Sequence, residues 1–125
     1  MSSRPQFSPY SVVTNGDMSL ATIISKVTII QKLSMISYDI SWAGVAPAGP
    51  VTVQVSNTYS QNSDGSVHNP GNWTTLILGS PTTISGNTGN GFIDIDATAG
   101  YAVRLVYTRT SGSGLLNVTV AGKVA

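Results

Sequence analysis

Cysteine and glutamate are absent from this sequence, and histidine occurs once, at His68. Without cysteine the chain forms no disulfide and offers no thiolate ligand, and one histidine cannot supply the several ligands of a structural zinc site. A catalytic triad needs a base beside a nucleophile, and His68 would have to be that base. It lies in the stretch 64–71, which is rich in Gly, Asn and Ser and typical of a solvated loop. We therefore expect no enzymatic activity, no metal ion and no cofactor.

Carboxylates are also sparse, because the only acids are five aspartates. Asp94 and Asp96 stand two positions apart on a predicted strand, which puts both on one face of a sheet about 7 Å apart. Paired-carboxylate chemistry could recruit only this pair, but a solvated strand face or a capped turn before 97–100 explains them better. No phosphate-binding glycine motif occurs between a strand and a helix, which argues against nucleotide binding.

Charge of either sign is low: charged residues make up 9% of the chain, and the formal net charge is +1. Soluble domains usually carry roughly 25%. No cluster of Lys or Arg provides the electrostatic footprint of a nucleic-acid-binding protein, so we expect no nucleic-acid partner. Weak charge repulsion on a surface of hydroxyls and amides favours association. The composition therefore indicates extensive subunit contacts, and we expect a homo-oligomer.

Long apolar runs are missing as well. No stretch approaches the roughly 20 apolar residues of a membrane span, and residues 1–10 lack the apolar core of a signal peptide. We therefore expect a protein without a membrane span that is made in the cytoplasm and released in soluble form. The 125 residues are enough for one domain that needs no disulfide or metal.

What the sequence does contain is a series of short β-type runs between about Ser19 and Val124, separated by Gly, Pro, Asn and Ser. In the clearest run, the residues that share the apolar face are Ile36, Tyr38, Ile40 and Trp42. The valines at 51, 53 and 55 alternate with polar residues in the same way, and no window shows helical spacing with caps. Seven or eight such strands predict an all-β fold, either a single antiparallel β-sandwich or a jelly-roll-like barrel, over residues 18–125.

The residues between these runs predict where strands end. The Gly- and Pro-rich stretch 43–50 is expected to be a connector that ends the strand after Trp42. The runs 101–108 and 116–120, separated by the sequence Ser-Gly-Ser-Gly at 111–114, predict a β-hairpin.

Residues 1–17 are expected to form an extended N-terminal arm outside the β-domain. Pro5 and Pro9 oppose a helix and favour an extended course. The apolar residues of this assembly arm are Phe7, Tyr10, Val12 and Val13. Apolar side chains on an arm need a partner surface, which is either the arm's own domain or a neighbouring subunit; the sequence favours neither alternative.

The longest irregular stretch, 57–72, is the place where we expect any ligand to bind, because loops of this length are usually functional or disordered. The candidate ligand residues of this loop are Tyr59, His68 and Trp73. Trp73 is most simply a residue at the core or its edge, and the functional alternative is that it stacks on a sugar. Arg104 lies on a largely apolar predicted strand, so we expect it to reach solvent or to pair with an acid such as Asp94 or Asp39.

Three parts of the chain together resemble small structural proteins encoded in bacteriophage genomes. They are Lys32–Trp42 followed by Ala-Gly, then Val51–Asn57 leading through a variable loop to Asn72–Leu76, and finally Gly100–Thr110 with Leu116–Val120. The resemblance implies an oligomeric particle component, such as a head-decoration, minor capsid or spike subunit, located in the virion. This family has no shared catalytic residues to transfer. The Ser-Asn and Asn-Trp-Thr sequences also resemble discoidin-like and other carbohydrate-binding sandwiches.

Two functions of different classes therefore remain. The first is a non-enzymatic structural protein of a bacteriophage virion, acting by β-sandwich oligomerisation and lattice contacts with capsid or other virion proteins. The alternative is a carbohydrate-binding adhesion module that uses the 57–72 loop to bind surface glycans.

Overall fold

A computed structural model describes residues 6–30, 35–76, 82–96 and 101–123. Its strands are β1 (Gln6–Asp17), β2 (Thr22–Ile24), β3 (Thr28–Ile29), β4 (Met35–Ser56), β5 (Ser60–Gln61), β6 (Val67–Asn69), β7 (Thr74–Thr75), β8 (Thr82–Ile84), β9 (Thr88–Asp96), β10 (Ala102–Thr108) and β11 (Ser111–Lys123). The all-β expectation is confirmed, and within these ranges no helix is long and apolar enough to cross a membrane.

Four stretches of chain lie side by side, each antiparallel to its neighbours. The first contains β1–β3, the second is β4, the third contains β7–β9, and the fourth contains β10 and β11; their spatial order is first, fourth, second, third. At one end, Lys123 pairs with both Gln6 and Met35, and Met35 also pairs with Asp96. At the other end, Ala102 pairs with both Ile29 and Ser56. The backbone thus forms one folded antiparallel sheet.

Each of the four stretches bends, so that the sheet has two halves that enclose the core. Sheet I contains β1, β11, residues 35–48 of β4, and β9. Sheet II contains β2, β3, β10, residues 49–56 of β4, β7 and β8. The result is the sandwich or barrel-like arrangement that the alternating runs predict.

The core lies between the two halves and consists of the inward side chains of both. The fully buried members with the largest side chains include Tyr38, Ile40 and Leu116 from sheet I and Val53, Leu105 and Tyr107 from sheet II. Burying a side chain of this size stabilises the fold by roughly 1.5–3 kcal/mol, so the two alternating faces decide the stability of the domain. Trp42 closes one end of the core, where its Nε1 donates a hydrogen bond to the carbonyl oxygen of Gly86 at 3.2 Å.

The Gly- and Pro-rich stretch 43–50 does not end a strand, so that expectation is wrong. β4 continues through it and changes from sheet I to sheet II. At this corner Ala46 has a φ of 47° and Gly112 on the adjacent strand has a φ of 80°. A Cβ on Gly112 would overlap the carbonyl oxygen of Ala46, so a side chain there is excluded. Glycine and proline allow a bulge at which the strand turns a corner instead of stopping.

The predicted hairpin between 101–108 and 116–120 is also wrong. β10 and β11 do not pair with each other, because both pair with β4. Leu105 lies opposite Val53 in sheet II, and Leu116 lies opposite Trp42 in sheet I. The Ser-Gly-Ser-Gly sequence forms the corner between them, with a register shift between Ser111 and Ser113. The same residue types suit a turn and a bulge, so the local sequence does not distinguish the two.

Residues 6–17 follow the extended course expected of the arm, and they form a strand that pairs within the domain itself, which is one of the two alternatives that the sequence leaves open. β1 pairs with β11 along its whole length, and Val12 and Val13 are buried in the core. Pro9 is tolerated because it lies at a register shift on an edge strand. Tyr10 is 42% exposed, and its hydroxyl lies 3.2 Å from Oγ1 of Thr28. Residues 1–5 and the side chain of Phe7 lie outside the described part of the structure.

Candidate functional site

The segment 57–73 is fixed to the end of sheet II by hydrogen bonds of its own backbone. The Tyr59 amide donates to Oγ of Ser56 at 3.1 Å, and the Asn72 amide donates to Oγ1 of Thr58 at 2.7 Å. Between these two points the chain forms the short antiparallel pair β5 and β6. The two ends of the segment are therefore joined, and the predicted ligand loop is an ordered structure with a small hairpin at its tip.

Trp73, Arg104, Gln54 and Tyr59 form one cluster on the outer side of sheet II, which we call the Trp73 cluster. The guanidinium carbon of Arg104 lies 4.2 Å from the centroid of the Trp73 ring, within the range of a cation–π contact. The Tyr59 and Trp73 rings have centroids 5.7 Å apart and are tilted by 54°. Nε1 of Trp73 donates to the carbonyl oxygen of Pro70 at 2.8 Å, which fixes the indole in place.

Among the described residues no acid pairs with Arg104, so the pairing with Asp94 or Asp39 is not found, and the side chain is partly exposed, as the other alternative expected. Its Nε donates to Oε1 of Gln54 at 2.8 Å, and Gln54 lies directly opposite it in the register of β10 and β4. Asp39 and Asp94 belong to sheet I and are exposed. Burial lowers the pKa of the Arg104 guanidinium from its ordinary value, yet an arginine remains charged at neutral pH. An amide and an aromatic ring therefore accommodate this cation on sheet II.

The structure brings together two of the three predicted ligand residues. Tyr59 is buried with 6% exposure, and Trp73 is half-buried. His68 lies on β6 with an exposed side chain, and within the described residues it makes no hydrogen bond or ring contact with either. The sequence analysis did not identify Gln54 as a member of this cluster. Its only distinguishing feature in the sequence is its position on the polar face of a valine-rich strand.

The outer face of sheet I is different, because no segment of the described chain covers it. Its members are Ser37, Asp39, Ser41, Ala43 and Val45 on β4, Asn90, Phe92 and Asp94 on β9, and Leu115, Asn117, Thr119 and Ala121 on β11. Three of these are large exposed apolar side chains: Val45 at 74%, Phe92 at 62% and Leu115 at 49%. Among the described side chains of this face there is no Lys or Arg. Asp17 of β1, which pairs with Leu115, lies on the same face. The described part of this surface is therefore composed of small polar groups, three carboxylates and three apolar side chains.

The aspartates of the described turns are used locally. Oδ1 of Asp17 accepts hydrogen bonds from the amide and hydroxyl of Ser19, and Oδ1 of Asp64 accepts the same pair from Ser66. These bonds favour the ionised form and lower the pKa of both carboxyl groups. In the described ranges no three His, Cys, Asp or Glu residues come close enough to hold a metal ion. The side chain of Asp96 is not among the described side chains.

Comparison with known proteins gives likeness of fold. No family model and no curated protein matches the chain. A chain in the structure of the Gx strain of infectious bursal disease virus matches with a TM-score of 0.51 and 8% identity, over 96% of this chain and 32% of that one. Protein YomS, derived from the SPBc2 prophage, matches with a TM-score of 0.45 and 8% identity, over 97% of this chain and 96% of YomS. Chitosan-binding module 1 of a chitosanase/glucanase from Paenibacillus sp. IK-5 matches with a TM-score of 0.47 and 21% identity, over 90% of this chain and 75% of the module.

Proposed function

We propose that this protein is a non-enzymatic structural subunit of a bacteriophage virion, such as a capsid-decoration, minor capsid or spike subunit, which associates through sheet I with copies of itself and with other virion proteins. One observation carries the proposal: the outer face of sheet I exposes Val45, Phe92 and Leu115 among small polar residues, without a Lys or Arg among its described side chains. Contiguous exposed apolar surface is typical of interaction sites. Val45 and Leu115 stand at neighbouring register positions, and Phe92 lies on the same face four positions further along.

The composition of this face keeps the free-energy cost of covering it low. Ser, Ala and Asn lose less side-chain entropy on burial than Lys, Arg or Glu. Burial of Phe92 or Leu115 is favourable by about 25 cal/mol for each Å² of apolar surface removed from water. Sheet II is less suited to such a contact, because its outer side already carries the Trp73 cluster and the segment 57–73.

The virion setting is supported by the sequence resemblance to bacteriophage structural proteins. The similarity to a chain of a virus structure concerns the fold alone. A non-enzymatic role is supported by the positions of the titratable groups. His68 stands on an exposed hairpin, and Asp17 and Asp64 cap turns through neighbouring serines.

The direct test is the mass of the protein in solution as a function of concentration, measured by light scattering. We expect a discrete oligomer, or a mass that rises with concentration. The variant Phe92→Lys places a charge at the most exposed aromatic side chain on the outer face of sheet I and should reduce this association. Val67→Lys is the matched control, because Val67 is 55% exposed on the hairpin of the 57–73 segment. A strictly monomeric wild type at every concentration would contradict self-association.

The alternative function, glycan binding, is favoured by a specific observation of its own. Trp73 is half-buried and lies between the buried ring of Tyr59 and the guanidinium of Arg104, and an accessible aromatic ring with a nearby hydrogen-bond donor is suited to a sugar. A glycan array, followed by titration of Trp73→Ala, tests this alternative. Binding by the wild type that is lost in the variant, with the fold intact, would support it. Silence on the array would remove it.

A further inference from the structure

β9 is an unusually regular edge strand. All nine residues from Thr88 to Asp96 pair with β4 without a register shift, and within the described ranges no strand pairs with its opposite edge. Natural edge strands are normally protected by bulges, prolines or lysines that prevent pairing with another chain. β1, at the other edge of sheet I, has Pro9 and three register shifts. β9 contains no proline, lysine or bulge, and its one described charged side chain, Asp94, points to the outer face of the sheet, so the backbone edge is open to a further strand.

We infer that β9 pairs antiparallel with β9 of a second copy of this chain, with Phe92 opposite Phe92 of the partner subunit. This inference rests on the proposed function, for which it names a partner and an interface. Such pairing would join two copies of sheet I into one continuous sheet across a twofold axis. It is the edge-to-edge mode by which strands add to an open sheet.

The register follows from the side chains on the outer face of β9. With Phe92 at the centre, Asp94 lies opposite Asn90 of the partner subunit, and Asp96 lies opposite Thr88 of the partner subunit. The Asp94 carboxylate then faces an amide, and no two aspartates are paired with each other. Moving the register by one pair would place Phe92 opposite Asp94 or Asn90 of the partner subunit and would separate the two rings. Aromatic pairs and the avoidance of opposed like charges both favour the centred register.

The inward side chains of β9 are compatible with the pairing of β9 with β9 of a second copy. Ile93 and Ile95 point into the core and are 4% and 7% exposed, so they remain under the sheet when a strand is added beside them. Phe92, which is 62% exposed, is the large side chain of β9 that gains a partner. The interface therefore uses the backbone edge and the outer row without disturbing the core.

A single-cysteine variant tests this pairing, because the chain has no cysteine of its own and any disulfide must join two molecules. In Phe92→Cys the two thiols would be directly opposite, with Cα atoms about 4.5–5.5 Å apart, which a disulfide can span. The matched control is Leu115→Cys, on the same face but on the interior strand β11. In the proposed dimer, five strand spacings of about 4.8 Å separate the two copies of position 115, which is too far for a disulfide.

We expect Phe92→Cys to form the disulfide dimer at least about tenfold faster than Leu115→Cys under mild oxidation, because pairing raises the effective thiol concentration. We also expect Phe92→Lys to shift the light-scattering mass of the protein to that of the monomer while its circular dichroism is unchanged. Equal cross-linking rates together with an oligomeric wild type would overturn the β9 interface and leave the proposed function standing. A monomeric wild type without cross-linking at position 92 would overturn both.

Discussion

The guanidinium of Arg104 lies over the ring of Trp73, with 4.2 Å between the guanidinium carbon and the ring centroid. Arg104 belongs to β10 in sheet II, and Trp73 belongs to the segment that follows β6. The contact therefore connects the 57–73 segment to the outer side of the sheet. Nε of Arg104 also donates a hydrogen bond to Oε1 of Gln54 at 2.8 Å, which orients the guanidinium over the ring.

Loss of this contact should loosen the segment without unfolding the domain. In Trp73→Ala or Arg104→Met, we expect faster amide hydrogen exchange over 57–73 and a loss of about 1–2 kcal/mol in the free energy of unfolding. His68→Ala is the control, because the exposed imidazole makes no contact with the cluster in the described residues, and it should be neutral. Unchanged exchange over 57–73 in both cluster variants would contradict a structural role for the stack.

Two buried tyrosines should respond oppositely to removal of the hydroxyl group. Oη of Tyr38 is buried and has no hydrogen-bond partner among the described residues, whereas Oη of Tyr107 donates to the carbonyl oxygen of Ala48 at 3.0 Å. We expect Tyr38→Phe to raise the free energy of unfolding by about 1 kcal/mol, and Tyr107→Phe to lower it by about as much. Urea denaturation of both variants measures the difference. An equal decrease in the free energy of unfolding of the two variants would contradict the conclusion that the Tyr38 hydroxyl lacks a hydrogen-bond partner.

Stability should also decline at alkaline pH through Tyr38. Burial, with a smaller contribution from Tyr10, raises the pKa of the Tyr38 phenol well above its ordinary value of 10.0. Above about pH 10 the unfolded chain loses this proton while the folded chain keeps it, so the free energy of unfolding falls by about 1.4 kcal/mol per pH unit for this group. Tyr38→Phe removes this contribution, so the free energy of unfolding of the variant should fall less steeply with pH between about pH 10 and 11 than that of the wild type. Identical slopes for the wild type and the variant would count against the raised pKa.

The corner between the two sheets should depend on Gly112. Its φ of 80° favours glycine, and a Cβ there would overlap the carbonyl oxygen of Ala46. Gly65 is a matched control, because its φ is 89° and no atom lies within 4 Å of a Cβ built there. We expect Gly65→Ala to lower the free energy of unfolding by about 1 kcal/mol, and Gly112→Ala to lower it by more than about 3 kcal/mol. Similar thermal midpoints for the two variants would show that the corner relaxes.

The alternation of apolar residues predicted the core faces correctly. Tyr38 and Trp42 on one run and Val51 and Val53 on another are all buried where the period of two places them. The corners were not predictable, because Gly- and Pro-rich sequences suit both a turn and a bulge, and only the pairing of β4 with β11 decides between them. Val12 and Val13 are adjacent and both buried, whereas simple alternation would bury only one of them. The register shift between Ser11 and Val13 allows both side chains to reach the core.

The Trp73 cluster could be predicted only in part. The length of the 57–72 stretch and its aromatic residues indicated the correct segment, and Tyr59 and Trp73 do meet there. The partner of Arg104 could not be chosen from charge, because Asp39 and Asp94, the acids expected to pair with it, lie on sheet I. Strand register decides it instead, since β10 and β4 place Gln54 directly opposite Arg104.

The central claim is that sheet I is the associating surface, and hydrogen–deuterium exchange of the wild-type protein at low and high concentration tests it most directly. We predict that amide exchange over residues 88–96 slows as the light-scattering mass rises, while exchange over 57–73 does not change. A rise in mass that protects 57–73 and leaves 88–96 unaffected would contradict the account and place the contact surface on sheet II.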